Sequence, residues 1–402
     1  MTIACSECGT LQDLPRLDRV TAAICPTCTT WMERTSGRSA SAGLACALAT
    51  FIVMLPANLL PLMSVSVLGM SREGKIPAGV ISLWNGQWVI VASLVAAFAI
   101  VLPFVRFGLL SLVLAHVWLD RHRPWLGRAF RWSLRLDHWA MPDVFLIGFA
   151  IGYSRVAANL TVSIEPGGLC LIAAALLAML SRATLDRRTV WRAISPERRA
   201  PEPAEPAISC PACELVLSGA WEGSACPRCQ LRVTSRKPDS MVRTTALLVA
   251  AFALYFPANV YPMSIAVEAG RQTSHRIIDG VRELFQAGLW PLGVIIFCTS
   301  IAIPLLKILG LAWLQLSIWR RSDRGLVFKT HFYRFIDEIG RWSSVDVFTI
   351  AVFVPLMQFG AIASARAAWG ATPFMLVVVL TMLASRSFDP RLLWDAAAAR
   401  VP

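Results

Sequence analysis

Eight of the eleven cysteines fall into four Cys-x2-Cys pairs, and the pairs are themselves grouped in twos. Cys5 and Cys8 precede Cys25 and Cys28, with sixteen residues between the pairs. Cys210 and Cys213 precede Cys226 and Cys229, with twelve between. Four thiolates on two tight knuckles make a closed tetrahedral set, which suits structural zinc. The first spacing lies inside the zinc-ribbon range; the second is slightly short, but proline and glycine around the knuckles suit the turns. Segments this polar bury no core alone, so a metal would have to fold them. The expectation is two structural zinc ions. Rubredoxin-like iron uses the same ligands. Reduced free thiols and a redox Cys-x2-Cys are further readings, although no thioredoxin-like βαβ pattern surrounds these pairs. Cys46, Cys170 and Cys298 lie in apolar runs and read as packing residues.

A second set of residues stands where charge or polarity is costly. Arg106 follows Pro103 by three residues and Lys307 follows Pro304 by three, each inside an apolar run. An ionisable residue at mid-membrane marks a functional site or a paired charge, unless its side chain snorkels to the interface. Asn58 lies between Pro56 and Pro61, and Asn259 between Pro257 and Pro262. Each would either satisfy a kink and join helices or line a polar cavity. Asp143 and Asp346 open apolar runs, as first-turn carboxylates or as partners for Arg106 and Lys307. The five histidines are scattered, and nothing resembles a phosphate loop, a His-Glu-x2-His pair or a Ser-His-Asp triad. The chain reads as a non-enzyme.

The elements that must position these residues are hydrophobic. Of 402 residues, 56% are hydrophobic and 16% charged, with mean hydropathy +0.58; a soluble domain has about a quarter charged. Apolar blocks run over Ser41–Val67, Trp88–Val105, Val144–Ile164 and Gly168–Leu180, then Thr244–Val267, Leu289–Ile318, Val345–Ala365 and Trp369–Leu383. Most reach the roughly 20 residues of a bilayer crossing. The expected fold is an all-α polytopic membrane protein with eight transmembrane helices, four per half. The N-terminus has no apolar signal core. Arginine is dense in alternate loops: Arg121, Arg128 and Arg135; Arg187, Arg188 and Arg192; Arg320, Arg321 and Arg324. The positive-inside rule then puts both termini and these loops in the cytoplasm. The net charge of +13 reflects that bias and anionic lipid headgroups, not a nucleic-acid partner.

The chain is written twice. Pro56-Ala-Asn-Leu-Leu-Pro61 recurs as Pro257-Ala-Asn-Val-Tyr-Pro262, at an offset of 201. Trp139-Ala-Met-Pro-Asp-Val-Phe145 recurs as Trp342-Ser-Ser-Val-Asp-Val-Phe348, at an offset of 203. Met179-Leu-Ser-Arg182 matches Met382-Leu-Ala-Ser-Arg386, with Trp191 and Trp394 beyond. The expected domains are a cytoplasmic zinc ribbon at 1–35, a four-helix module at 40–190, a Pro-rich linker at 191–207, a second ribbon at 208–235 and a second module at 241–395. An even number of helices per half makes the repeats parallel, with 69–83 and 268–287 on one face. Residues 120–142, basic and aromatic, read as an amphipathic helix on the membrane surface.

Duplicated cysteine quartets joined to modules with Pro-Ala-Asn-x2-Pro and Trp-x3-Asp-Val-Phe resemble the paraquat-inducible protein A family over almost the whole chain. The resemblance implies an inner-membrane subunit of a bacterial envelope lipid-transport system, handling phospholipid. Its partner would be a membrane-anchored protein of tandem MCE domains forming a periplasmic tunnel. It also implies zinc in the ribbons, tetraspanin-like modules, and a polar network, for which Lys307 and Thr381 are the candidates, with Arg106 as counterpart. The first half departs in having arginine where the second has lysine. Two other readings compete: a metal- or redox-sensing membrane protein, and a structural anchor for periplasmic partners. A lipid-sized, partly polar cavity favours transport; exposed metal-free thiols favour sensing; neither favours an anchor.

Overall fold

The computed structural model describes residues 2–13, 22–34, 40–67, 70–157, 160–195, 207–268, 271–286, 288–356 and 363–399. The expected loop at 14–21 of the first ribbon and most of the Pro-rich linker, 196–206, lie outside them.

The first ribbon is two hairpins, β1 (Thr2–Ala4) with β2 (Leu11–Asp13) and β3 (Ala22–Ile24) with β4 (Trp31–Arg34). Helix α1 (Ala40–Leu59) follows, carrying Pro56 inside its last turn. The apolar run then leaves the helix for a strand. Met63-Ser-Val-Ser-Val alternates, with Met63 and Val65 buried and Ser64 and Ser66 turned outward, the pattern of a one-sided strand. This strand, β5 (Met63–Val67), pairs with β6 (Met70–Gly74) and later with β7 (Thr161–Ile164). Helix α2 (Ile76–Asn85) leads into a 30-residue helix, α3 (Val89–Trp118). Next come α4 (Leu126–Leu136), α5 (Pro142–Ala157), α6 (Pro166–Thr184) and α7 (Arg187–Ile194). Trp191 to Ile194, expected in the linker, are therefore helical.

The second half repeats this order. The ribbon hairpin β8 (Ala207–Ser209) and β9 (Val216–Ser218) precedes α8 (Ser240–Val260). Strands β10 (Ser264–Glu268) and β11 (Arg271–His275) follow, then α9 (Ile277–Gln286) and a second 30-residue helix, α10 (Trp290–Trp319). The chain closes with α11 (Leu326–Ile339), α12 (Val345–Leu356), β12 (Ala363–Ala367) on β10, α13 (Ala371–Ser387) and α14 (Arg391–Ala398). The two sheets have matching orders, β6-β5-β7 and β11-β10-β12.

The fold is thus mostly helical but not all-α. Each expected outer loop holds a hairpin and a short helix, because alternating Ser and Val at the end of an apolar run fits a pleat better than a helix. Among the described residues, five helices are long and apolar enough to cross a membrane: 41–59, 89–118, 166–184, 240–260 and 290–319. Helix α13 makes a sixth if counted with α14, to which it is bent by 46°. Among the described residues α5 is shorter, as is α12 with 12 residues, and strands β7 and β12 take the far ends of the two apolar blocks.

One core runs through both halves at the sheet end. It unites Met63, Val65, Phe145 and Phe149 with Met263, Phe348, Phe374 and Met375. Its centre is the α5–α12 crossing, where Phe145 and Phe348 meet edge to face at 5.3 Å and Thr349 donates to the Gly148 carbonyl. A Cβ on Gly148 would come within 2.8 Å of the Phe348 Cβ; only glycine lets the helices approach this closely. Towards the ribbons the core divides, one part around Phe107, Phe130 and Trp191, the other around Leu311, Tyr333 and Phe388.

Candidate functional site

Each knuckle forms by one backbone device. The residue four after the leading cysteine has positive φ: Gly9 (79°), Thr29 (56°), Glu214 (57°) and Gln230 (58°). Its N–H donates to the carbonyl of that cysteine, at 3.0, 2.8, 3.0 and 2.8 Å. The turn aims both sulfurs of a pair inward. The Sγ atoms of Cys5, Cys8, Cys25 and Cys28 all lie within 4.8 Å of one another, as do those of Cys210, Cys213, Cys226 and Cys229. Individual separations are 3.5 Å for Cys5–Cys28 and Cys210–Cys229 and 3.6 Å for Cys8–Cys25 and Cys213–Cys226. A tetrahedron with metal–sulfur bonds of about 2.3 Å has edges of about 3.8 Å, so each quartet fits one ion. Thr30 supports the first from outside, its hydroxyl 2.9 Å from the Cys28 sulfur. Cys298, expected to pack, is exposed.

The ribbons dock crosswise. The second packs on the first module: Arg131 of α4 donates to the Cys229 carbonyl at 3.0 Å, and Arg188 of α7 meets Glu214 at 2.6 Å. Its cysteines share a core with Phe130 and Trp191. The first ribbon packs on the second module. Trp394 of α14 lies against Cys5, Cys25 and Cys28; Thr29 meets His331 of α11 at 2.9 Å; Arg391 donates to the Ser6 carbonyl at 3.0 Å.

Between the ribbons and the core sits a buried charge network. Arg106, 2% exposed, pairs with Asp137 at 2.6 Å and not with Asp143. Asp143, in the first turn of α5, takes Arg182 at 2.8 Å and, from the other half, Arg341 at 3.4 Å. Arg182 also reaches Asp137 at 2.9 Å. Burial works against ionisation of Asp137, but Arg106, Arg182 and Arg187 outweigh it and hold the carboxyl well below its usual range. Among the described residues, Arg106 Nε and Nη1 and one oxygen of Asp143 find no hydrogen-bond partner.

Lys307 is completely buried. Its Nζ is 3.4 Å from the Gly340 carbonyl, and among the described residues no carboxylate is within ion-pair distance. The two residues expected near it make these bonds. Asp346 accepts a short hydrogen bond from Ser300 of α10, and the Thr381 hydroxyl donates to the Val378 carbonyl of its own helix at 3.0 Å. Asn58 donates to the Met54 carbonyl and Asn259 to that of Tyr255, each four residues back at 2.8 Å. Both are back-bonds within the asparagine's own helix, and among the described residues Asn58 Oδ1 has no partner.

Two kinds of feature are not legible in the sequence. The first is the set Asp137, Asp337 and Arg341. Asp337 meets His138 across the two halves at 3.5 Å and accepts from Ser385 at 2.9 Å. The signal was the repeat itself: Arg106, Asp137 and Arg182 correspond to Lys307, Asp337 and Arg386, at offsets of 201, 200 and 204, and the drifting offset hides it. The second is a π-helical turn in each long helix, at Ala96–Val101 and Cys298–Ala302. Each ends just before Pro103 or Pro304, whose missing N–H and ring demand a wider turn.

The family described as Paraquat-inducible protein A matches the chain over residues 41–195 and again over 241–398. This chain belongs to the paraquat-inducible protein A family. The two matched segments are the two helical modules, so the family unit occurs twice here and the ribbons lie outside it. Similar relatives include Intermembrane transport protein PqiA of Escherichia coli (strain K12), 30% identical over 98% of this chain and 95% of the relative. Lipophilic envelope-spanning tunnel protein A of the same strain is 28% identical over 98% and 91%. A Probable intermembrane transport protein of Haemophilus influenzae is 25% identical over 98% and 95%. No solved structure matches the chain.

Proposed function

We propose that this chain is a multi-pass inner-membrane subunit of a bacterial envelope lipid-transport system. It passes phospholipid between the inner membrane and a periplasmic tunnel built by an MCE-domain protein. Both termini and both ribbons are cytoplasmic in this reading, each ribbon holds one structural Zn²⁺, and the chain is not an enzyme. The relatives named for intermembrane transport support it. The observation that carries it is Lys307, fully buried in an apolar 30-residue helix, its Nζ 3.4 Å from the Gly340 carbonyl. Among the described residues no carboxylate is within ion-pair distance, Asp337 acting on it only from farther off, and a cation so placed is costly to a mere anchor. It suits a site that receives an anionic headgroup or relays a proton. The π-helical turn and Pro304 one turn before it loosen the helix at that level, where such turns often serve function. The Arg106–Asp137–Arg182 cluster is the filled version of the same arrangement, with its cation already neutralised. In this reading the second module carries the active step and the first holds the frame.

Lys307→Ala tests this. We expect normal membrane levels and loss of complementation of an envelope-sensitivity defect, since removing an unpaired buried cation relieves folding cost. Full complementation at normal protein level would leave Lys307 a packing residue and overturn the reading.

A further inference from the structure

Where the core divides towards the ribbons, a cleft of about 870 Å³ opens between the two modules. Its walls come from four sources. Helix α4 gives Arg131 and Arg135; the start of α7 gives Arg187 and Arg188; the second ribbon and its exit give Arg232 and Lys237; α13 gives Arg386. Met32 of the first ribbon also touches the cleft. Seven basic side chains thus face three carboxylates in the cleft, Asp186, Glu214 and Asp337; of the seven, Arg187 also turns to Asp137 at 3.4 Å and Lys237 donates to the Arg386 and Phe388 carbonyls. All three carboxylates are already engaged. Asp186 caps α7 through Thr189, Glu214 takes Arg188 at 2.6 Å, and Asp337 takes His138 and Ser385.

Among the described residues, neither Arg135 nor Arg386 has a carboxylate within ion-pair distance. Arg131 spends Nη1 on the Cys229 carbonyl and leaves Nε buried without a partner. Burial and the neighbouring Arg131 push Arg135 below its ordinary value, and burial does the same to Lys237. Leu134, Leu185 and Trp191 supply an apolar wall beside these groups. Guanidinium forks converging from several elements match the oxygens of a phosphate. The volume is that of a small-molecule pocket.

We infer that this cleft is a binding site for a phosphate group, carried by an anionic lipid or free in solution. The inference is independent of the lipid-passing reading: it concerns the ribbon end of the molecule, not the helix interior around Lys307. A bound phosphate would join both modules and both ribbons through one ligand.

The test uses delipidated full-length protein in phosphate-free non-ionic detergent. It is titrated separately with inorganic phosphate, short-chain phosphatidylglycerol and short-chain diacylglycerol, with binding read by calorimetry. We expect saturable binding of phosphate, of phosphatidylglycerol or of both, and no binding of diacylglycerol. Arg135→Gln and Arg386→Gln should each weaken it about tenfold, one charge-assisted contact's worth. Binding of phosphatidylglycerol alone assigns the site to a headgroup; binding of phosphate alone assigns it to a soluble anion. Arg135 is exposed and outside any ion pair, so its variant keeps the fold, which two metal ions per chain would verify. Should Arg386→Gln fail to fold, Arg135→Gln decides alone. Binding of neither phosphate species, equal binding of diacylglycerol, or binding unchanged by Arg135→Gln would overturn the inference.

Discussion

Arg106 and Lys307 hold the same place in two copies of one module, and they meet the cost of burial differently. Arginine has five donors in a planar fork and reaches Asp137 while stacking at 4.5 Å over Phe107. Lysine is a point charge with a shorter reach, and among the described residues its Nζ finds the Gly340 carbonyl at 3.4 Å and no carboxylate within ion-pair distance. The lysine end lies close over Gly340: a Cβ there would stand 2.8 Å from the Lys307 Nζ and would make the side chain shift. Asp337, the counterpart of Asp137, has turned to His138 of the other half. Burial raises its carboxyl, but His138, Ser385 and Arg386 win and bring it down to about 2 from 3.8. A carboxyl depressed on folding adds stability above its unfolded value and loses it as pH falls through the folded one. Asp337→Asn should therefore cost about 2 kcal/mol near neutrality. That gap should close as pH drops from about 3.8 through about 2. Thermal unfolding of both proteins across that range measures it; a gap independent of pH would show that Asp337 acts by packing alone.

At the scale of elements, glycine marks where backbone meets backbone. Gly127 of α4 faces the second ribbon so closely that a Cβ would lie 2.1 Å from the Arg228 carbonyl oxygen. Gly127→Ala should push the knuckle off its helix, costing about 1–3 kcal/mol as overpacking does, and speed proteolysis of 207–235. Gly43→Ala is the control, since its Cβ would meet only a Leu114 methyl at 3.7 Å; equal proteolysis of the two variants would refute the docking. Much of this element scale was legible beforehand. Cysteine spacing located both quartets, and the apolar runs located α1, α3, α6, α8 and α10. Amphipathic α4 and the first-turn places of Asp143 and Asp346 were also readable. The strands were not, because each continues an apolar run and hides its alternation in four or five residues. Nor were the ion pairs. Sequence shows that Arg106 needs a partner but not which of two nearby aspartates α4 and α5 will deliver. Asp137, in the turn after α4, reaches both Arg106 and Arg182, whereas Asp143 shares Arg182 and takes Arg341 of the other half.

The whole molecule is closed on itself by its ribbons. A sequence in which each ribbon precedes a module suggests that the two form one unit, yet each ribbon rests on the short terminal helix of a module that ends elsewhere in the chain. The second sits on α7, just before it; the first sits on α14, at the far end. Trp191 and Trp394 are the matching seats, one per module. The first ribbon therefore ties the start of the chain to its end, and the pair spans the divided part of the core, while the sheet end is held by the continuous core around Phe145 and Phe348. This makes a directional prediction for metal loss. Cys5→Ser with Cys28→Ser should unfold the first ribbon and raise hydrogen exchange in α11 and α14, leaving α4 and α7 protected. Cys210→Ser with Cys229→Ser should do the reverse, exposing α4 and α7. In both, α5 and α12 should stay protected, because their contact does not pass through a ribbon. Exchange spreading from the first ribbon into α1 and α4, its neighbours in sequence, would mean that each ribbon serves its own module and that the crossed docking does not hold in solution.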